Sequence, residues 1–252
     1  MLRFSPNADK EPKAICLDLF GTIVFFDSRR LPRQIVEGES RVVTMPGVED
    51  VLAEVAPHTS LPTFLDAVAA ASAAIAAEKQ RHGREVPTRE RFRRALADLQ
   101  ASGAIDLAAE WMAERHMASL ADAVLCPADR PMLLSDLAAR RPIALVSNFD
   151  DGPTARRLLE RFGLTGAFRS ILVSAEVGVI KPFAEIFLAA CEGLGATPSD
   201  TLHVGDSVSA DIRGATAVGM RALWVGDGPC DVATGTITDL REVPRWLADR
   251  YG

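Results

Sequence analysis

The chain has 252 residues, 48% of them hydrophobic, a formal net charge of −6 and a pI near 5.3. That much apolar material supports a sizeable core, which excludes a disordered chain, and the length allows one large domain or a domain carrying a substantial insertion. The acidic balance offers no clustered positive field for a nucleic-acid backbone or an anionic membrane, so the expected partner is a small molecule and neither of those surfaces.

The opening MLRFSPNADKEPK has no apolar run of signal-peptide length and mixes acids with bases, so nothing directs export and a cytoplasmic location is expected. The run at 14–19 follows Pro12, is apolar, and ends at Gly21 and Thr22, which reads as a buried strand followed by a turn. Residues 28–126 then offer helices and no convincing strand. Segments 61–83, 87–103 and 106–124 carry apolar residues at helical spacing, with Pro62 and Pro87 near starts and Gly83 and Gly103 at ends. The apolar stretch at 65–77 is interrupted by Asp66 and Ser72 and falls short of the ~20 residues that span a bilayer, so it reads as a soluble helix.

Beyond the insert the rhythm of the first strand returns. Runs at 142–147 and 201–205 rise through apolar residues into a polar tip and are followed by helical patterns, and 171–173 and 222–225 are weaker strand candidates. Strands alternating with helices indicate an α/β fold with a Rossmann-like parallel sheet, here formed by residues 1–27 and 127–252, with an all-helical insertion at 28–126. Cys16, Cys126, Cys191 and Cys230 are scattered with no CxxC pair, which suggests neither zinc nor a disulfide framework. His58, His82 and His116 lack the spacing of a metal or triad site, and His203 falls inside a strand; each reads as structural or exposed.

Open parallel sheets bind ligands beyond the carboxyl ends of their strands, so the polar tips belong together. They are Asp18-Leu-Phe-Gly-Thr22, Ser147-Asn148 and Gly205-Asp206-Ser207 with Asp211, and Lys181-Pro182 opens a further helix. Each tip taken singly is ordinary turn or cap chemistry. In this order and spacing they resemble the four motifs of the haloacid dehalogenase superfamily, over nearly the whole chain from Lys13 to about Val225.

The resemblance implies that Asp18 attacks the substrate to give a covalent aspartyl intermediate that water then releases. It implies that Thr22 and Gly21 shape the turn, that Phe20 and Gly21 line the substrate, and that Ser147 and the backbone near Asn148 hold a phosphoryl oxygen. Lys181 and a bound Mg²⁺ would offset the repulsion between Asp18 and an anionic substrate, with Mg²⁺ on Asp18, the main-chain carbonyl of Phe20, Asp206 and Asp211. The insert occupies the place of the family's helical cap, and Arg29 and Arg30, with Arg33 nearby, stand at the crossing into it as candidates to bind an anionic group.

One position departs from the phosphatases of that superfamily, which usually carry a second Asp two residues after the nucleophile as general acid and base. Here it is Phe20, similar to the 2-haloacid dehalogenases, in which the departing halide needs no proton. The retained Asp206 and Asp211 point the other way, since those dehalogenases generally lack an equivalent of Asp206. The expectation is therefore Mg²⁺-dependent hydrolysis of a small phosphorylated metabolite by a monomer or homodimer. Carbon–halogen hydrolysis is one alternative, and a phosphate-ligand-binding protein with little turnover is another.

Overall fold

A computed structural model of the chain describes residues 10–252; residues 1–9, part of the opening read above as free of an export signal, lie outside the described range. The chain divides into two compact units, Asp27–Val124 and the remainder up to Phe26 together with Leu125–Gly252.

The second of these holds the expected parallel sheet. Its strands are β1 (Ala14–Leu17), β2 (Ile143–Ser147), β3 (Ser170–Val173), β4 (Thr201–Gly205), β5 (Arg221–Val225) and β6 (Gly235–Ile237). They lie in the order β6, β5, β4, β1, β2, β3, and every neighbouring pair is parallel. A parallel sheet is covered on both faces, which is why its central strands are apolar at every position rather than at alternate ones. Ala14, Cys16, Ala144 and Val146 point to one face and pack with Ile186, Phe187 and Ala190 of the helix Ala184–Leu194 and with Ile212 and Ala215. Ile15, Leu17, Ile143 and Leu145, of the opposite parity, are fully buried on the other. The strand β6 lies outside the runs expected as strands, since three residues at the end of a Gly-containing stretch carry no periodicity.

The unit Asp27–Val124 is mainly helical, with helices Val48–Val55, Leu61–His82, Thr88–Asp98 and Ile105–Asp122. Its core gathers Val48, Leu52, Phe64, Phe92, Leu96 and Met112. The expectation of an all-helical insert is corrected by an antiparallel hairpin, Arg33–Val36 with Glu39–Val42. Its strands are short and largely polar. The turn is made by Glu37 at φ 53° and Gly38 at φ 81°, the pair of positive values that a two-residue hairpin turn requires. The helix expected over 87–103 stops at Asp98, and Gln100 and Gly103 beyond it have positive φ. The expectation that the apolar stretch here is too short to span a bilayer is corrected: by length and composition alone the helix Leu61–His82 would suffice, because it extends beyond 65–77 at both ends, and Phe64, Ala71 and Ile75 are its buried residues.

Candidate active site

Because β4, β1 and β2 are adjacent and parallel, with Leu17 opposite both Val204 and Leu145, their carboxyl ends lie side by side. Asp18, Ser147–Asn148 and Gly205–Asp206 are therefore neighbours by topology, although more than a hundred residues of chain separate the first from the others. Asp18 continues the ladder by one residue, its N–H donating to Val204 O at 2.9 Å, and is 7% exposed.

The turn after Asp18 is closed by its own backbone. Ile23 and Val24 N–H groups both donate to Leu19 O at 2.9 Å, and Gly21 N–H donates to Val24 O at 2.8 Å. Gly21 has φ 83°, and a Cβ placed on it would lie 2.3 Å from Asp206 Oδ2. Only glycine lets the turn approach that carboxylate so closely.

Lys181 is the hub. Its ammonium has three protons and three acceptors: Asp18 Oδ1 at 2.5 Å, Asp211 Oδ1 at 2.6 Å and Val146 O at 2.7 Å. Its backbone is held by Asn148, whose side-chain NH₂ donates to Lys181 O at 2.9 Å while Oδ1 accepts Lys181 N–H at 2.7 Å. The peptide bond to Pro182 is cis. Asn148 thus has a structural task that its place in the sequence does not disclose. Ser147 and Thr22, both fully buried, have side-chain oxygens with no hydrogen-bond partner. Buried hydroxyls are normally satisfied, so two orphans beside Asp18 in sequence and in the sheet mark positions that a ligand would complete.

Asp211 lies on a π-helical turn, Val208–Ile212, capped by Ser207; such turns recur at functional sites. Its Oδ2 accepts Ser207 N–H at 3.0 Å, and its Oδ1 accepts both Lys181 and His203 Nε2, the latter at 2.9 Å. Asp206 is the exposed member, and its main-chain carbonyl accepts the Trp224 indole N–H at 2.9 Å.

Carboxylate oxygens of Asp18, Asp206 and Asp211 all lie within 4.8 Å of one another. Burial foremost, with Asp211 and Asp206, raises the Asp18 carboxyl to about 7 against the opposing pull of Lys181. Burial, then Asp211, also raises Asp206. Burial acts to raise Asp211 too, but Lys181 and His203 outweigh it and hold it well below the usual carboxylate range. Burial alone would lower Lys181; the attraction of Asp18 and Asp211 keeps it raised and charged. Three carboxylates against one ammonium leave an excess of negative charge in a nearly buried place, which is costly without a cation. An all-oxygen donor set with one exposed carboxylate fits a small hard divalent ion such as Mg²⁺.

Phe20 stacks against Phe149, ring centroids 5.0 Å apart and tilted by 35°, so an apolar pair stands beside the charged cluster. Arg29 and Arg30 lie in the other unit, in the short helical turn Ser28–Arg30. The Arg29 guanidinium is spent on Asp27 through Nε at 2.8 Å and Nη2 at 3.0 Å, and Arg30 is exposed. His203 and Trp224 contribute to the site without a local sign of it: the runs at 201–205 and 222–225 place both on strands, and nothing local reveals their partners.

The family model described as a haloacid dehalogenase-like hydrolase matches residues 12–219. Among curated proteins, the phosphoserine phosphatase of Thermus thermophilus is 37% identical over 164 residues, 62% of this chain and 64% of that protein. The glyceraldehyde 3-phosphate phosphatase of Methanopyrus kandleri is 42% identical over 70 residues, 28% of this chain and 30% of that protein. The chain thus spans less than two thirds of the length of these curated relatives. Among solved structures, a 2-haloacid dehalogenase from Pseudomonas syringae aligns over 94% of this chain and 99% of its own, with TM-score 0.68 and 23% identity. A HAD phosphatase from Thermococcus onnurineus aligns over 95% and 100%, with TM-score 0.61 and 23% identity. At that identity the likeness of the solved structures speaks for the fold.

Proposed function

The chain belongs to the haloacid dehalogenase-like hydrolase family, and we propose that within it the protein is a Mg²⁺-dependent hydrolase of a small phosphorylated metabolite, with Asp18 as nucleophile. The observation that carries this reading is the three-carboxylate cluster around Lys181, whose charge and donor set call for a divalent cation. The phosphatase relatives support it.

Asp18 keeps one carboxylate oxygen for attack because the other is fixed by Lys181. That ammonium also opposes the repulsion between the nucleophile and an anionic substrate, about 4 kcal/mol per unit pair at 4 Å in a medium of effective dielectric near 20. Ser147 and Thr22 hydroxyls are free to donate to phosphoryl oxygens, which would satisfy both orphans. The bound cation would supply charge neutralisation at the phosphoryl group, held by Asp18, Asp206 and the Phe20 carbonyl, with Asp211 steering Lys181. The insert Asp27–Val124 corresponds in this reading to the family's cap, the part to which substrate choice is assigned.

The pair Phe20–Phe149 favours a second reading, carbon–halogen hydrolysis, because it places no proton donor where a departing alkoxide needs one. One activity panel separates the two: phosphate esters and 2-haloacids, each with Mg²⁺ and with EDTA, on wild type and Asp18→Asn. Mg²⁺-dependent phosphate release lost in Asp18→Asn is the expected result. Metal-independent halide release with phosphate esters untouched would replace the reading with the second.

A further inference from the structure

His203 is the one fully buried histidine of the core sheet and lies on β4 directly behind the acidic cluster. Its Nε2 is 2.9 Å from Asp211 Oδ1, the same oxygen that accepts the Lys181 ammonium at 2.6 Å. A continuous relay of short contacts therefore runs from His203 through Asp211 and Lys181 to Asp18. An ionised carboxylate only accepts, so His203 carries its proton on Nε2 and donates it. Its Nδ1 is buried with no partner, which a bare lone pair tolerates better than an N–H.

We propose that His203 is a positioning residue for the reaction: by occupying a lone pair of Asp211 Oδ1 it fixes that carboxylate, and thereby aims Lys181 at Asp18. The proposal rests on Asp18 being the nucleophile. Asp211 has three donors, Ser207 N–H, His203 and Lys181. The first two come from backbone and strand and are rigid; the third is the flexible end of a four-carbon chain. Without His203, Asp211 Oδ1 has only the Lys181 proton and draws the ammonium toward itself. Lys181 then surrenders geometry at Asp18, where the distance is 2.5 Å. The loss falls on the chemical step rather than on binding, because His203 sits behind Asp211 with no exposed surface.

Packing and donation are separable. The ring lies edge-on to Phe187, centroids 5.2 Å apart at 87°, so His203→Phe preserves an aromatic body without the donor, whereas His203→Gln preserves a donor without the ring. With p-nitrophenyl phosphate and Mg²⁺, His203→Phe is expected to lower kcat roughly ten- to hundredfold, the scale of one hydrogen bond to a charged group, with KM nearly unchanged. His203→Gln recovers most of that loss. In the metal-free wild type, nitrogen NMR of the labelled ring is expected to show a protonated Nε2 and a bare Nδ1, a readout independent of turnover and of whether the variants fold. A proton on Nδ1 with Nε2 bare, a folded His203→Phe with wild-type kcat, or a Gln variant no better than Phe would overturn the proposal. Asp18→Asn measured alongside separates the failures: activity surviving in it removes the nucleophile reading and the relay with it, whereas its loss with an unaffected His203→Phe removes the relay alone.

Discussion

Lys181→Met is the most demanding perturbation of this site, because it keeps the length and much of the volume of the side chain and removes the charge together with its three N–H donors. Lys181 is 3% exposed and bridges Asp18 at 2.5 Å and Asp211 at 2.6 Å. Taking it away leaves two buried carboxylates whose oxygens lie within 4.8 Å; at an effective dielectric near 20 they repel by about 3.5 kcal/mol. Breaking a buried pair by removing one partner typically costs about 3–5 kcal/mol, and that is the destabilisation expected here. It does not rise further because Asp18, whose carboxyl already sits near 7, takes up a proton instead of staying charged. Urea unfolding in EDTA, followed by circular dichroism, measures it. Added Mg²⁺ should recover more stability in the variant than in wild type, since the cation then replaces the only positive charge among the three acids. Turnover should fall about a thousandfold, the equivalent of ~4 kcal/mol of uncompensated repulsion. A variant within about 1 kcal/mol of wild type in EDTA would refute the reasoning, because a proton on Asp18 still leaves Asp211 buried, charged and without its ammonium partner.

Gly21→Ala should cost about 1–2 kcal/mol in stability through its positive φ, and the new Cβ, 2.3 Å from Asp206 Oδ2, should displace that carboxylate and weaken Mg²⁺ binding as followed by Trp224 fluorescence; unchanged binding would count against Asp206 as a ligand. Phe20→Asp should raise phosphate-ester hydrolysis and leave 2-haloacids no better, measured as kcat/KM on both; a fall on phosphate esters would show that Phe20 serves that chemistry directly. His116 bonds Thr44 Oγ1 at 2.7 Å and Arg91 Nη1 at 3.2 Å, and burial followed by the charge of Arg91 lowers it from 6.5 to about 4. The unfolded ring takes up a proton below about pH 6.5 while the folded ring stays neutral down to about 4, so stability should fall across that window by at most about 3 kcal/mol. His116→Gln should flatten this acid limb in a pH series of unfolding midpoints, and an unaltered limb would exclude His116 as its source.

The sheet was legible because buried parallel strands leave short unbroken apolar runs, and the tips at Asp18, Ser147, Lys181 and Asp206 stood out because each ends such a run or opens a helix. What the sequence hid was of two kinds. The hairpin at 33–42 buries little more than Val36, so its residues alternate without an apolar face, and its turn pairs Gly38 with Glu37 rather than with a residue that favours positive φ. The helix Val48–Val55 did carry a signal, apolar residues at 48, 51, 52 and 55 after a Gly, but at eight residues it is too short to stand out from the surrounding loop. Partnership was hidden for a different reason. That Asn148 clamps the backbone of Lys181 and that His203 reaches Asp211 are facts about strands meeting in space, and no local pattern encodes which distant carbonyl or carboxylate a side chain will find.

The distinction between spent and unspent groups narrows the ligand itself. Lys181 has all three ammonium protons committed within the protein, and Asn148 and Asp211 are each tied to it, by a clamp on its backbone and by a salt bridge. Ser147 and Thr22 retain unpartnered hydroxyls, and carboxylate oxygens of Asp206 and Asp18 face one another with no cationic side chain on Asp206 among the described residues. The hydroxyls ask for an anion's oxygens and the carboxylates for a cation, so an occupant that completes the site carries both signs: a phosphoryl group with its divalent ion. A haloacid carboxylate alone would satisfy the hydroxyls and set a further negative charge against the acids. Binding of inorganic phosphate should therefore be coupled to Mg²⁺, each tightening the other by the same factor, as linkage demands. Calorimetric titration of phosphate with and without Mg²⁺ measures that factor, expected at tenfold or more, roughly the ~1.4 kcal/mol gained by a favourable cation–anion contact in a partly buried site. Phosphate that binds equally well in EDTA would mean the acids do not face the anion, and the phosphate reading would lose its electrostatic basis.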